Sequence, residues 1–155
     1  MNISLRTATD SDWQTLQELN NQVFQNDKDN DPDLDLNWPY TERGIGYYKK
    51  LADGTYGHCI IAEESGAVVG YVALAVKTFD YRKSKYVEVE NIGVSPEHRS
   101  LGIGTALMKA AEQWAKSQGA SSLYVEAFWE NQRAINYYKE NGFFELGVQL
   151  KKVAK

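Results

Sequence analysis

Hydrophobic positions in the first fifty residues follow two different spacings. Ile3 and Leu5 alternate with polar neighbours, which is typical of a short edge strand. The stretch Thr9-Asp10-Ser11-Asp12 then supplies helix-capping residues. Apolar side chains recur after it at helical spacing, at Trp13, Leu16, Leu19 and Val23. The pattern predicts a strand followed by a helix, and residues Thr41 to Leu51 predict a second, shorter helix.

Three strand-like runs occupy the middle of the chain. They extend from Gly57 to Glu63, from Val68 to Val76 and from Tyr86 to Val94. The pair Ser65-Gly66 predicts a tight hairpin between the first two runs. Pro96 ends the third run.

Helical and strand-like segments alternate in the last third of the chain. Residues Gly102 to Lys116 predict an amphipathic helix that ends at Gly119. The inward positions of that helix are Leu107, Ala111, Trp114 and Ala115. A strand from Ser122 to Phe128, a helix from Asn131 to Glu140 and a last strand from Phe143 onward follow. Strands paired by a hairpin and then alternating with helices predict an α/β or α+β domain, with a mixed sheet and helices on its faces.

The composition indicates which classes of protein this chain can belong to. The 155 residues are 43% hydrophobic and 25% charged, which is typical of one soluble globular domain, expected here over residues 1–155. A formal charge of −4 argues against nucleic acid as a partner. The single Cys59 cannot form an internal disulfide, and no apolar stretch reaches 18 residues. We therefore expect a cytoplasmic protein without a membrane partner.

The most informative stretch joins the strand ending at Val94 to the helix that follows. Its glycines, Gly102 and Gly104, would let a phosphate approach the backbone, and the first helical turn offers unpaired N–H donors to an anion. Arg99 could add a charge-assisted bond. A Walker loop is excluded because Thr105 follows Gly104 where lysine is required. The glycines could instead serve only close packing between helix and strand.

A dinucleotide-binding fingerprint also fits poorly. Its third glycine is replaced by Leu107, although Glu126 lies about where a ribose-binding acid would. Too little chain follows the loop to complete such a domain.

Two motifs resemble those of the GNAT family of N-acetyltransferases. The first is Arg99-x-x-Gly102-x-Gly104 after a strand that ends in Ile92-Gly93-Val94. The second is Asn131-x-x-Ala134-x-x-x-Tyr138-x-x-x-Gly142-Phe143. The order of elements matches as well. The resemblance implies a mixed, mostly antiparallel sheet of six to seven strands that splays between the fourth and fifth strands, with about four flanking helices.

The resemblance also implies a binding mode for acetyl-CoA as the co-substrate. Backbone amides of the loop would bind the pyrophosphate, at Arg99, Ser100, Leu101, Gly102, Ile103, Gly104 and Thr105. Ile92, Gly93 and Val94 would lie along the pantetheine arm, with the Ile92 amide directed at the thioester carbonyl. Asn131 would bind a pantetheine amide. A bulge in the strand at 86–94, and its separation from the strand at 122–128, would admit the arm.

Thioester aminolysis needs a proton acceptor and a proton donor. Family members place a glutamate at the position of Glu88 or Glu90, which lie two residues apart and share one face of a strand. We place Glu90 first as the base, acting through water. Both could alternatively be solvated residues of a polar face. By resemblance, Tyr138 protonates the leaving thiolate, whereas its neighbour Tyr137 points about 100° away.

Fewer residues point to the acceptor. Residues Gln25 to Tyr40 predict a surface loop with five aspartates, beside Trp38 and Tyr40. These groups could hold an ammonium by charge and cation–π contact, or the loop could be solvated and without a binding role. Trp129 is a third candidate for a residue that lines the binding site of the acceptor amine. His98 and His58 receive no role, and no metal site is expected.

These residues predict an enzyme that transfers acetyl from acetyl-CoA to a primary amine by direct attack in a ternary complex. A small-molecule amine is the preferred acceptor. The alternatives are a peptide N-terminus, a protein lysine or a non-catalytic acyl-CoA-binding sensor. Only 13 residues follow Gly142, where family members often have two strands, so we expect an open sheet edge and a homodimer that uses it.

Overall fold

The computed structural model describes residues 2–154. Five strands and four α-helices form the fold, joined by single 3₁₀ turns at residues 10–12, 38–40 and 96–98. The strands are β1 (Ile3–Thr7), β2 (His58–Glu64), β3 (Ala67–Lys77), β4 (Tyr86–Val94) and β5 (Ser122–Tyr124). The helices are α1 (Trp13–Asp27), α2 (Glu42–Asp53), α3 (Ile103–Ser117) and α4 (Gln132–Glu140).

The strands form one sheet in the order β1-β2-β3-β4-β5. Neighbouring strands are antiparallel from β1 to β4, and β5 runs parallel to β4. The predicted mixed, mostly antiparallel sheet with flanking helices is confirmed. The β2–β3 hairpin also forms as predicted, because Ser65 (φ 52°) and Gly66 (φ 82°) both adopt the left-handed conformation of a type I′ turn.

The predicted number of strands was too high. The sheet has five strands in the described chain, β5 ends at Tyr124 instead of Phe128, and residues 143–154 form no strand. A strand is held by hydrogen bonds to a neighbour, and no strand lies beyond β5 within residues 2–154. Residues 143–154 pair with no strand of the described chain, so their alternating pattern alone does not make a strand.

Two apolar cores lie on opposite faces of the sheet. On one face, β3 and β4 pack against α3 through residues that include Val72, Val87, Leu107 and Ala111. On the other face, α1 and α2 cover the sheet through residues such as Leu16 and Leu51. Trp114, predicted to point inward, is only half-buried, and its ring stacks on His58 with centroids 4.7 Å apart.

The predicted bulge is present in β4. Ala73 pairs with Asn91 and the next residue, Leu74, pairs with Val89, so Glu90 is the extra residue. A bulge breaks the alternation of faces, and Glu90 and Asn91 accordingly both contact residues of α2. Pairing between β4 and β5 ends at Glu88 and Tyr124. The two strands thus stay paired only at the start of β4.

Candidate functional site

The loop before α3 has the backbone conformation that its glycine predicts. Ser100 (φ 62°) and Gly102 (φ 80°) are both left-handed, and Gly102 is the N-cap of α3. A Cβ at Gly102 would meet no atom within 4 Å, so the loop is open at this point. A Cβ at Gly104, in the first helical turn, would instead lie 3.0 Å from Tyr137 Oη. Gly102 thus leaves room for a ligand, whereas Gly104 also serves packing.

Side chains anchor this loop to the sheet. Arg99 Nε donates to the Val94 carbonyl at 3.2 Å. His98 bridges Ser95 Oγ (2.7 Å) and Glu64 Oε2 (3.0 Å), which fixes the loop to the end of β2. The sequence provided no reason to assign His98 a role, and in the structure it anchors the loop. No local pattern marks this contact, since Glu64 lies 34 positions away.

Beyond Glu88, the edge of β4 that faces β5 has no strand partner within residues 2–154. Ile92 and Val94 direct their side chains into the core beside α3. A Cβ at Gly93 would lie 2.8 Å from the Tyr71 ring and 3.6 Å from the Leu19 carbonyl. Gly93 therefore allows Tyr71 and α1 to pack closely against the strand. Residues 92–94, predicted to lie along the pantetheine arm, form part of this unpaired edge.

Asn131 has two structural partners. Its Oδ1 accepts from the Ala134 amide at 3.1 Å and caps α4, and its Nδ2 donates to Asp27 Oδ1 at 3.1 Å. Asp27 belongs to the last turn of α1. The side chain predicted to bind pantetheine thus ties α4 to α1.

The adjacent tyrosines of α4 have different surroundings, as predicted. Tyr137 Oη is buried without a hydrogen-bond partner in the described structure and lies against Gly104. Tyr138 packs on Phe143, with ring centroids 5.6 Å apart. Burial, together with the negative charge of Asp27, raises the pKa of Tyr138 to about 12. A tyrosine is protonated near neutral pH even at its ordinary pKa near 10, and the raised pKa makes the Tyr138 phenol a weaker acid.

The bulge presents Glu90 to two tyrosine hydroxyls and one lysine ammonium. Tyr47 Oη donates to one carboxylate oxygen at 3.0 Å, and Tyr56 Oη donates to the other at 2.5 Å. Lys77 Nζ lies 3.6 Å from Glu90 and 3.1 Å from Glu88, so the two predicted glutamates share one ammonium. Glu90 is the more enclosed, with 14% of its side chain exposed against 24% for Glu88.

These contacts raise the pKa of both tyrosines. Burial raises the pKa of Tyr47, and the Glu90 carboxylate raises it further. The hydrogen bond to Glu90 is the main cause that raises the pKa of Tyr56. Sequence reasoning missed both residues, because only the packing of α2 and of the α2–β2 connection on the sheet brings them to Glu90.

The three aromatic residues predicted to bind the acceptor amine do not line one common surface. Trp38 stacks on Phe24 with centroids 5.9 Å apart and packs against the core beneath α1 and α2. Tyr40 and Trp129 are 54% and 71% exposed. Among the described residues, no aromatic contact joins Trp129 to Trp38 or Tyr40.

Besides Asp27, which accepts from Asn30 and Asn131, two of the aspartates predicted to lie in this loop have local structural partners. Asp31 Oδ1 accepts from the Asp33 amide at 3.1 Å, and Asp35 Oδ1 accepts from the Asn37 amide at 2.9 Å. Short side-chain-to-backbone bonds of this kind stabilise turns. They favour a structural role for these two carboxylates.

Within residues 2–154, no group of three or more His, Cys, Asp or Glu side chains is placed to hold a metal ion. None of the helices described is long and apolar enough to cross a membrane.

Sequence comparison finds related proteins over most of the chain. The family model of the acetyltransferase (GNAT) family matches residues 13–143. An uncharacterised N-acetyltransferase of Methanocaldococcus jannaschii is 34% identical over 103 residues, which are 66% of this chain and 46% of that protein. The N-alpha-acetyltransferase RimI of Mycobacterium tuberculosis is 27% identical over 151 residues, 95% of this chain and 82% of the relative. The chain spans about half the length of the first of these curated relatives.

Structural comparison finds the same fold in solved structures. A mutant of a Bacillus halodurans protein superposes with a TM-score of 0.84 at 18% identity, over 97% of this chain and 99% of the other. The aminoglycoside acetyltransferase AAC(6')-Iy, in complex with the bisubstrate analogue CoA-S-monomethyl-acetylneamine, superposes with a TM-score of 0.78 at 16% identity. That match covers 100% of this chain and 99% of the enzyme. On the family match over residues 13–143, the chain belongs to the GNAT acetyltransferase family.

Proposed function

We propose that this protein transfers the acetyl group of acetyl-CoA to a primary amine of a small molecule. The observation that carries the proposal is the position of Glu90. Its carboxylate lies at the bulge of β4, close to the point where pairing with β5 ends. Family membership supplies the donor substrate, and this carboxylate supplies a proton acceptor beside the gap between the strands.

The loop before α3 is proposed to hold the pyrophosphate of the donor. The open space at Gly102 and the positive end of the α3 dipole suit an anion at this point. The residues proposed for this role are Arg99, Ser100, Leu101, Gly102, Ile103, Gly104 and Thr105. The pantetheine arm would then follow the unpaired edge of β4 at residues 92–94.

Glu90 is proposed as the base. An alkylamine is mostly protonated at neutral pH and must lose a proton before it attacks the thioester carbonyl. The Tyr47 and Tyr56 hydroxyls hold the two oxygens of Glu90 in place, so the carboxylate is oriented before an amine arrives. Glu88 shares Lys77 with it and completes a polar strand face.

Tyr138 is proposed as the acid. As the amine nitrogen bonds to the carbonyl carbon, the carbon–sulfur bond breaks and the thiolate needs a proton. The Tyr138 phenol is protonated near neutral pH, as a tyrosine is at its ordinary pKa near 10, so it has a proton to donate. The products are an N-acetylated amine and free CoA, and no covalent enzyme intermediate is involved.

A small-molecule acceptor is supported by the negative charge around the site. Within residues 2–154, Lys77 is the one cation paired with Glu88 and Glu90. Glu126, which accepts a hydrogen bond from Tyr124 at 2.5 Å, is exposed just after β5. These carboxylates suit an amine with more than one positive charge. The similarity to a protein named N-alpha-acetyltransferase favours a peptide N-terminus as the second candidate.

The test is a thiol-release screen with acetyl-CoA. Diamines, aminoglycosides and short peptides with free N-termini would be compared at one concentration, with buffer alone as control. Turnover is expected with multiply charged small amines. Turnover confined to peptides would replace the preferred acceptor with the second candidate. Tight CoA binding without turnover on any amine would favour a sensor.

A further inference from the structure

The protein places a cation of its own beside the proposed base. Lys77 is the last residue of β3, and its Nζ lies 3.1 Å from Glu88 Oε2 and 3.6 Å from Glu90 Oε1. An amine that loses a proton to Glu90 has to approach the same carboxylate as an ammonium ion. The side chains of Lys77 and Glu88 are 32% and 24% exposed, so an amine from solution can reach this pair.

Alternation along β3 brings Lys77 to this face of the sheet. Tyr71 and Ala73 point into the core beneath α1 and α2, and Lys77 follows them at even spacing. β2 begins at His58, opposite Leu74, so within residues 2–154 the last three residues of β3 have no β2 partner. The end of β3 thus extends past β2, and the Lys77 side chain lies on a part of the face that is partly open to solvent.

Two carboxylates and one ammonium leave one negative charge in this cluster. The tyrosines bonded to Glu90 stay neutral, because burial raises the pKa of Tyr47 and the hydrogen bond to Glu90 raises that of Tyr56. Burial lowers the pKa of Lys77, but the hydrogen bond and charge of Glu88, with smaller contributions from Tyr56 and Glu90, raise it above its ordinary value. The cluster therefore has the charge to balance one further ammonium.

We propose that Lys77 determines how much positive charge the acceptor can carry at the reacting end. With Lys77 in place, the two glutamates balance the single ammonium that is to be acetylated, and a second cation close to it is repelled. A second cation is accepted only farther out, toward the exposed Glu126. The inference rests on the proposed function, because it takes Glu90 as the base that receives the amine. Lys77 acts on specificity and not on the bonds that form or break.

Titration of the CoA-bound protein with two amines tests this without turnover. 1,4-Diaminobutane and pentylamine have the same number of heavy atoms and differ by one positive charge near neutral pH. Two-dimensional NMR would give both dissociation constants and show whether the amides of β4 respond to the amine.

Lys77→Met should tighten the binding of 1,4-diaminobutane about fivefold relative to pentylamine. The factor is modest because Lys77 is about one third exposed, so that water and salt screen its charge. Equal changes for the two amines would overturn the proposal. Binding of neither amine, to the unaltered protein or to Lys77→Met, would overturn it as well.

Glu88→Gln shifts the charge balance in the opposite direction and is a second, independent test. It leaves Lys77 facing Glu90 alone, so 1,4-diaminobutane should lose affinity relative to pentylamine. A shift toward the diamine in Glu88→Gln would contradict the charge argument, even if Lys77→Met did not fold.

Two controls separate the position of the charge from its loss. Lys77→Arg keeps the charge, and Lys85→Met removes a charge whose Nζ lies beside Gly119 at the end of α3. Both should leave the affinity ratio within about twofold of the unaltered protein, a difference that exposed charges commonly produce. Circular dichroism and CoA calorimetry would show that each variant is folded. A Lys85→Met ratio that moves as far as that of Lys77→Met would contradict the assignment to Lys77.

The outcome is distinct from that of the thiol-release screen. Amines that bind with the expected ratios but are not acetylated would support the role of Lys77 and remove the proposed function. Turnover of both amines, with an affinity ratio that Lys77→Met leaves unchanged, would support the proposed function and overturn the role of Lys77.

Discussion

At the residue scale, Glu90 has surroundings assembled from three distant parts of the chain. Tyr47 comes from α2, Tyr56 from the connection to β2, and Lys77 from the end of β3. The strand position of Glu90 follows from the alternation in β4, and its proposed role from the family motif. Its donors could not be predicted, because their approach depends on how α2 packs on the sheet.

Glu90→Gln is expected to lower kcat by about a hundredfold, the low end of what a positioned base contributes. The KM for acetyl-CoA should change little, because the amide has the same shape and lies away from the loop. Glu88→Gln is the matched comparison and should show the smaller loss. A larger loss for Glu88→Gln would reverse the assignment of the base.

Tyr138→Phe is expected to lower kcat by tenfold or more while CoA affinity stays within about threefold, because the acid acts on the leaving thiolate. The adjacent Tyr137→Phe is the control. Its buried hydroxyl has no partner in the described structure, so its removal should leave the rate unchanged and the fold at least as stable. Equal rates for Tyr138→Phe and the unaltered protein would exclude the acid role.

At the element scale, the sequence predicted those segments whose conformation is determined by their own residues. α1, α2, α3, α4 and the β2–β3 hairpin all formed close to their predicted bounds, because caps, turn residues and apolar spacing act locally. The last strand did not form, because a strand also requires a neighbour. The same dependence shortened β5. The bulge in β4 was predicted only through the family resemblance, since no residue type marks it.

Gly102→Val tests whether the loop before α3 binds the pyrophosphate of CoA. The φ of 80° disfavours a β-branched residue, and the new side chain would occupy the open space at the α3 N-terminus. CoA affinity measured by calorimetry should fall at least tenfold.

Gly46→Ala is the control. Gly46 lies in α2, far from this loop along the chain, and a Cβ there also meets no atom within 4 Å. This variant should bind CoA normally. Gly104 is a poorer test, because a side chain there would also displace Tyr137. Unchanged affinity in Gly102→Val would exclude this loop as the pyrophosphate site.

At the scale of the whole molecule, an ion-pair network fastens the first strand to the rest. Arg6 on β1 donates to both oxygens of Asp12 at 2.7 and 2.9 Å, and to Glu63 on β2 at 2.8 Å. The hydrogen bond from Arg6 is the main cause that holds the pKa of Asp12 below its usual value. The contribution of Asp12 to stability is therefore complete above the pKa of about 3.9 in the unfolded chain, and is lost as pH falls through the lower folded value.

Asp12→Asn is expected to lower the free energy of unfolding by about 1–2 kcal/mol at pH 7, because the side chain is nearly buried and loses a charge-assisted pair. The difference between the two proteins should shrink below pH 4. Urea unfolding followed by circular dichroism at pH 7 and pH 3 measures both values. Asp33→Asn, in the exposed loop, controls for the loss of one negative charge. A difference that stays constant with pH would contradict the titration argument.

The extra residue in β4 also separates two requirements on the strand. Before the bulge, Val87 and Val89 fill the core beside α3; after it, Ile92 and Val94 do so, and Asn91 turns to the opposite face. Removing Glu90 would leave these four apolar residues in strict alternation on the core face, with Asn91 still on the opposite face. The extra residue is therefore not needed to fill the core, and its deletion would remove the carboxylate proposed as the base without turning the strand over.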